Sequence, residues 1–172
     1  MTKFLRYTIL FFSGIIISAS ALRAQSLKFG HINSADLIQA MPETKKADSA
    51  LTKYRQSLED AMKTMTAEYQ GKLQAYQSQT ETMAEAIRKT KEKELEDLGA
   101  RIQDFQQTAQ ESIQKKKEEL YGPILKKAET AIKDIAKEKG YSYIFDTSLG
   151  TVLFAQDSDN MLPVVKAKLG LK

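Results

Sequence analysis

The chain contains no cysteine and no tryptophan, and among its 172 residues there are one histidine, His31, and three prolines. Without cysteine there is no disulfide framework, no thiol chemistry and no lipid-bearing N-terminal cysteine. A lone imidazole with no thiolate makes no zinc site, so His31 reads as a strand-borne surface or interface residue. There is no glycine-rich phosphate loop and no Ser-His-Asp set to assemble. Asp157-Ser158-Asp159-Asn160 resembles the start of a calcium loop but lacks its glycine and its later glutamate, which leaves helix capping as the reading. No catalytic residue, cofactor or metal is therefore assigned, and function is expected to lie in surfaces.

Long apolar runs are also scarce, and the one present lies at the start. Lys3 and Arg6 precede the run Ile9 to Ser18, which has the length of a signal-peptide core and is short for a membrane span. Ala19-Ser20-Ala21 and Leu22-Arg23-Ala24 both offer cleavage sites, the second leaving Gln25 as the new N-terminus. Residues 1–24 are thus expected to be a cleavable export signal, with an uncleaved anchor as the alternative. That segment carries three cations, Lys3, Arg6 and Arg23, and no acid, so without it the formal charge falls from +4 to +1. A nucleic-acid partner loses its main support.

Leu27 to Asn33 alternates in the manner of a strand, with Leu27, Phe29 and His31 on one side. Asn33 or Ser34 can cap a short helix over Ala35 to Met41, and Pro42 suits the first position of the next. From Thr44 to Gly140 the chain is rich in Ala, Leu, Lys, Glu and Gln, all strong helix formers. An apolar stripe runs through Ala47, Leu51, Tyr54, Leu58, Met62, Met65, Tyr69, Leu73, Tyr76, Thr80, Met83 and Ile87. A second runs through Leu95, Leu98, Ile102, Phe105, Ala109, Ile113, Leu120, Ile124, Ala128, Ala131 and Ile135. The first steps only by three and four, with an eleven-residue recurrence that predicts nearly straight or slightly right-handed pairing.

Folding one stripe onto the other about a turn at 88–93 pairs Ile87 with Leu95, Tyr76 with Phe105, Tyr69 with Ile113 and Leu51 with Ala131. Each arm then spans about 45 residues, roughly 65 to 70 Å at 1.5 Å per residue. A single rod of roughly 140 Å is the alternative. Gly140 after Lys137 and Lys139 ends the helical part. Tyr141 to Asp146 and Thr151 to Ala155 read as two further strands, and Met161 to Leu169 as a last short helix capped by Asp157, Asp159 or Asn160. The predicted fold is mainly α: a long antiparallel helical hairpin over 44–139, attached to a small three-stranded β body formed by 25–43 and 140–172. A body that small is expected to oligomerise.

Three surface features stand out. The low-charge stretches Ala67 to Met83 and Gln103 to Gln114 lie opposite each other in this register. They offer Met62, Met65, Gln70, Gln74, Gln77, Met83, Gln103, Gln106 and Gln110 as adaptable contacts for many partners, although helix propensity alone also produces such a pattern. Arg88, Lys89, Lys91 and Lys93 form a basic tip, a candidate for weak contact with anionic lipid or for plain solvation. Pro123, following Gly122, removes a backbone hydrogen bond inside the second arm, and the pair is the expected hinge, with a passive irregularity as the alternative.

The order of these parts resembles the Skp/OmpH family of periplasmic chaperones. The resemblance is carried by Lys28-Phe29-Gly30-His31-Ile32-Asn33-Ser34, by Ile38-Gln39-Ala40-Met41-Pro42-Glu43, by Gly122-Pro123-Ile124, and by Ala136 to Asp146. It implies three subunits joined through their β segments, with helical tentacles enclosing unfolded outer-membrane proteins in the periplasm. Family members are often strongly basic, whereas residues 25–172 are close to neutral, so no lipid site is carried over. The expectation is an ATP-independent holdase and homotrimer, with a coiled-coil spacer or tether of the envelope as the rival.

Overall fold

The computed structural model describes residues 27–171; the expected export signal lies outside the described residues. In chain order the elements are strand β1 (Phe29–Ile32), helix α1 (Ser34–Ala40), helix α2 (Pro42–Gln79), helix α3 (Glu85–Glu138), strand β2 (Tyr143–Asp146), a short 3-10 turn (Asp157–Asp159) and helix α4 (Leu162–Lys168). No helix among the described residues is long and apolar enough to cross a membrane.

The strands pair in parallel, Phe29 opposite Tyr143 and Ile32 opposite Asp146. A parallel pair needs a long crossover, and here the crossover consists of α2 and α3. The sheet has two strands, not the expected three. Thr151 to Ala155 forms no strand pairing among the described residues. It crosses the open face of the sheet, where Val152 and Phe154 join Phe29, His31 and Phe145 around a recess of about 200 Å³. The free edge of β1 is met instead at Asn160 and Met161, where the Met161 N–H donates to the His31 carbonyl at 2.8 Å. Aromatic and β-branched composition marks extended backbone but does not choose its partner.

Helix boundaries follow local chemistry. The Asn33 side chain accepts from the Asp36 N–H at 3.2 Å and caps α1, while Pro42 opens α2 at a position where an N–H would be unpaired anyway. Gly140, at φ +68°, ends α3. Its N–H bonds the Lys137 carbonyl and that of Tyr141 bonds the Ala136 carbonyl, which satisfies the last turn. Of the three candidate caps for α4, Asn160 serves: it accepts from the Leu162 N–H at 2.9 Å.

Both stripes lie on the helix seam: apart from Ile87, which is 54% exposed, every member is buried or half-buried. The turn and the register differ from expectation. Arg88 to Lys93 is helical, and the chain reverses at Thr80 to Ala84, within a hydroxyl-rich run of modest helix propensity. Tyr76 meets Glu92, Tyr69 lies against Gly99, Asp48 meets Tyr121 and Glu43 meets Lys127, so α3 returns along α2. Relative to the predicted pairing of Tyr76 with Phe105, this is a slip of roughly three and a half turns. A stripe stepping by three and four can meet its partner again after a slip of a few whole steps, so only the turn and the cross-arm polar contacts set the register.

The core sits at the root of the hairpin, where Ile32, Leu37, Met41, Ala47, Ile124, Ala128, Ala131, Ile135, Met161 and Val165 are all buried. The expected boundary between body and hairpin at residue 44 is therefore displaced: the first turns of α2 and the last turns of α3 belong to the body. Gly30 lies inside this packing, since a Cβ there would stand 2.8 Å from Tyr141 Cε1 and 3.0 Å from Met161 Sδ. At the far end of the sheet, Asp146 ties β2 to α1. Its carboxylate accepts from Ser34 Oγ at 2.5 Å, from the Ser34 N–H at 3.2 Å and from the Ser148 N–H at 2.9 Å. Burial pushes the carboxyl up, but the bonds from Ser34 and Ser148 outweigh it and hold it below the ordinary aspartate value.

Gly30→Ala should overpack the body and cost about 1 to 3 kcal/mol of stability in urea unfolding; an unchanged midpoint would contradict the contact. Because folding lowers the pKa of Asp146, its stabilisation is present above the unfolded value of about 3.9 and is lost as pH falls through the lower folded value. Asp146→Asn should therefore flatten that part of the acid titration of stability.

Candidate functional site

Two helices lying side by side shield only one flank of each other's apolar stripe. Near the body, α1 and α4 complete the cover, and Ala47, Leu51, Ile124, Ala128 and Ala131 are buried. Further out nothing among the described residues completes it, and among the seam residues beyond Leu51 on the outgoing arm and before Ile124 on the returning one, only Leu98 reaches full burial, at 3% exposure.

Midway along the arms the seam opens into a groove of about 560 Å³. Its floor is Leu58 and Met62 from α2 with Phe105, Ala109 and Ile113 from α3, and its rim carries Arg55, Glu59, Lys63, Gln106 and Gln110. Ala109 makes the opening, because its methyl leaves unfilled the space that a larger seam residue would occupy.

The expected contact residues divide. Met62, Gln106 and Gln110 come together at this groove. Met65 is half-buried on the seam and Gln103 is exposed. Gln70, Gln74 and Gln77 are exposed on the distal part of α2, and Met83 is half-buried in the turn. The single low-charge section does not form: with the register slipped, Ala67 to Met83 faces the charged start of α3, as the contacts Tyr76–Glu92 and Lys72–Glu94 show. Leu58, Phe105, Ala109 and Ile113 read from sequence as seam residues only; the one signal that they line an opening is the small side chain at position 109.

The basic tip is not a cationic patch. Arg88 lies 3.9 Å from Glu92, Lys89 3.0 Å from Glu85, Lys91 3.1 Å from Glu94, and Lys93 2.8 Å from Asp97. The Asp97 hydrogen bond and then Glu96 raise the Lys93 pKa. Exposed pairs of this kind contribute little to stability, but they balance the local charge. Gly122 and Pro123 are exposed within an α3 that runs on to Glu138, immediately before Ile124, the first buried core residue of that arm's root.

A second surface lies on the body. Gly30 and Ile32 face the core, so Phe29 and His31 point to the opposite side of β1. There Phe29 stacks on Tyr143 at 5.8 Å and approaches Phe145 at 6.1 Å, while His31 Nε2 is 3.0 Å from the Gln156 carbonyl. Beside them Phe154 is 81% and Leu153 97% exposed, a concentration of apolar surface that the chain leaves uncovered.

The family model for Outer membrane protein (OmpH-like) matches residues 28–169. A chaperone protein Skp of Pectobacterium atrosepticum is 24% identical over 139 residues, which cover 78% of this chain and 82% of that one. The fold is similar to the crystal structure of a candidate outer membrane chaperone (OmpH-like) from Caulobacter crescentus CB15, with a TM-score of 0.72 at 15% identity over 83% of each chain. At that identity the likeness is one of fold.

Leu98→Ala should remove the one well-buried contact of the outer seam, at a cost of roughly 2 to 4 kcal/mol. Hydrogen exchange should quicken between Tyr69 and Ile102 while the root keeps its protection; unchanged exchange there, or equal loss at the root, would contradict the division of the seam.

Proposed function

The chain belongs to the OmpH-like outer membrane protein family, and from that premise we propose that it is an ATP-independent holdase of the periplasm. It would bind unfolded outer-membrane proteins and keep them from aggregating on the way to their membrane. The observation that carries the reading is the apolar seam of the hairpin, left half-covered along most of its length and opened into a groove with adaptable Met and Gln side chains at its floor and rim. Such a surface suits weak contact with many sequences.

The exposed aromatic face of the sheet supports a homotrimer joined through the body, with three hairpins around a common space. Weak contacts repeated on three arms would hold a client by effective concentration without any input of energy. Gly122 and Pro123 stand where the packed root gives way to the open arm, the position at which bending would widen that space; their role as a hinge is part of this proposal. Contact of Arg88, Lys89, Lys91 and Lys93 with anionic lipid receives little support, since each already faces a carboxylate.

The direct assay dilutes a urea-unfolded outer-membrane β-barrel protein into buffer without nucleotide and follows light scattering. The full exported chain should suppress scattering at a stoichiometry of one trimer per client. Phe154→Asp should shift the mass toward monomer and lower suppression by about tenfold in the concentration required, as loss of multivalency predicts. Equal aggregation with and without the protein would sink the holdase reading and leave the spacer.

A further inference from the structure

The arm glutamines divide: three that do not line the groove are held by neighbouring carboxylates, while the two on its rim are among those that are not. Gln56, Gln107 and Gln114 donate to the carboxylates of Asp60, Glu111 and Glu118 at 3.1, 3.2 and 3.1 Å. Gln106 and Gln110 stand on the groove rim, and neither takes part in any side-chain hydrogen bond among the described residues. Their amides are four residues apart on α3, a separation of about 6 Å along the axis. Alternate residues of an extended chain lie about 6.8 Å apart, and their backbone N–H and C=O groups face the same way.

Resting on the holdase reading above, we infer that this groove is a binding site for an extended polypeptide segment with apolar side chains at alternate positions. Its backbone is held by the amides of Gln106 and Gln110, and its apolar side chains enter the opening over Ala109 between Met62 and Phe105. A helical ligand does not fit this chemistry, because its backbone groups are satisfied internally whereas an extended strand presents unpaired N–H and C=O groups along its edge. From Phe105 to Ile113 the floor is about 12 Å long, enough for two or three side chains on one side of a strand. The opposite rim carries Arg55 and Lys63 on either side of Glu59, a net single positive charge, so an acidic residue at an outward-facing alternate position adds modestly to the attraction.

The test measures fluorescence anisotropy of three labelled peptides with the full exported chain: one alternating Val and Tyr with Thr and Asp, one of the same composition respaced to a helical period, and the first peptide N-methylated at alternate amides. The alternating peptide should bind about tenfold tighter than the N-methylated one, as the loss of two neutral hydrogen bonds predicts, and tighter than the respaced one. Gln106→Leu with Gln110→Leu, both exposed and able to remain helical, should abolish the preference for the unmethylated peptide with circular dichroism and mass unchanged. Ala109→Trp, which fills the opening, should abolish binding of all three. Equal affinity for all peptides, or a preference retained by the double leucine variant, would overturn the inference. Should wild-type protein still suppress aggregation in that case, only the groove assignment falls; absence of suppression removes the holdase reading itself.

Discussion

A pair of helices cannot bury both flanks of both apolar stripes, and the whole molecule is arranged around where that shortfall is made good and where it is left. At the root, Leu37 of α1 with Met41 at its end and Val165 of α4 with Met161 at its start close over Ala47 and Ile124 to Ile135. Along the arms the described residues supply no third element. The outcome is a shaft that is rigid at one end and apolar but accessible along its length, which is what transient capture of unfolded chain requires. A third helix would stabilise the arm and remove its surface.

The same division governs the body. Parallel pairing of Phe29–Ile32 with Tyr143–Asp146 joins the two ends of the hairpin, so strand register and arm root are set together. The sheet buries Ile32 on its inner face and presents Phe29, Tyr143 and Phe145 on its outer face. A monomer with that much aromatic surface beside Leu153 and Phe154 is poorly suited to life alone in water. The aromatic face and the open seam are thus two uncovered surfaces of different kinds. The first is rigid, compact and built on a sheet, which suits a permanent subunit contact; the second is long, shallow and lined by flexible side chains, which suits a changing one.

Much of this was legible in the sequence because it depends on local periodicity and caps. The stripe from Ala47 to Met83 and that from Leu95 to Ile135, the Asn33 cap, Pro42 at a helix start and Gly140 at a helix stop are each decided by a few neighbouring residues. What was not legible depends on long-range choice. The turn at Thr80 to Ala84 has no glycine or proline to mark it, and a three-four stripe is indifferent to slippage, so the pairing of Tyr69 with Gly99 could not be told from its pairing with Ile113. Thr151 to Ala155 has strand composition, but composition does not choose a partner, and the free edge of β1 is met by Asn160 and Met161 instead. The groove was half legible: Met62, Gln106 and Gln110 drew attention by residue type, while Ala109, which opens it, looked like any small seam residue.

The central claim is that unfolded chain is held in the opening between the arms. A photo-reactive amino acid placed at Ala109, with a control at the outward-facing Ala67, tests it most directly when the protein is mixed with an unfolded outer-membrane β-barrel protein and irradiated. Cross-links to the client from position 109 and few from position 67 are the predicted result. Equal yield from the two positions, or cross-links from position 67 alone, would contradict it.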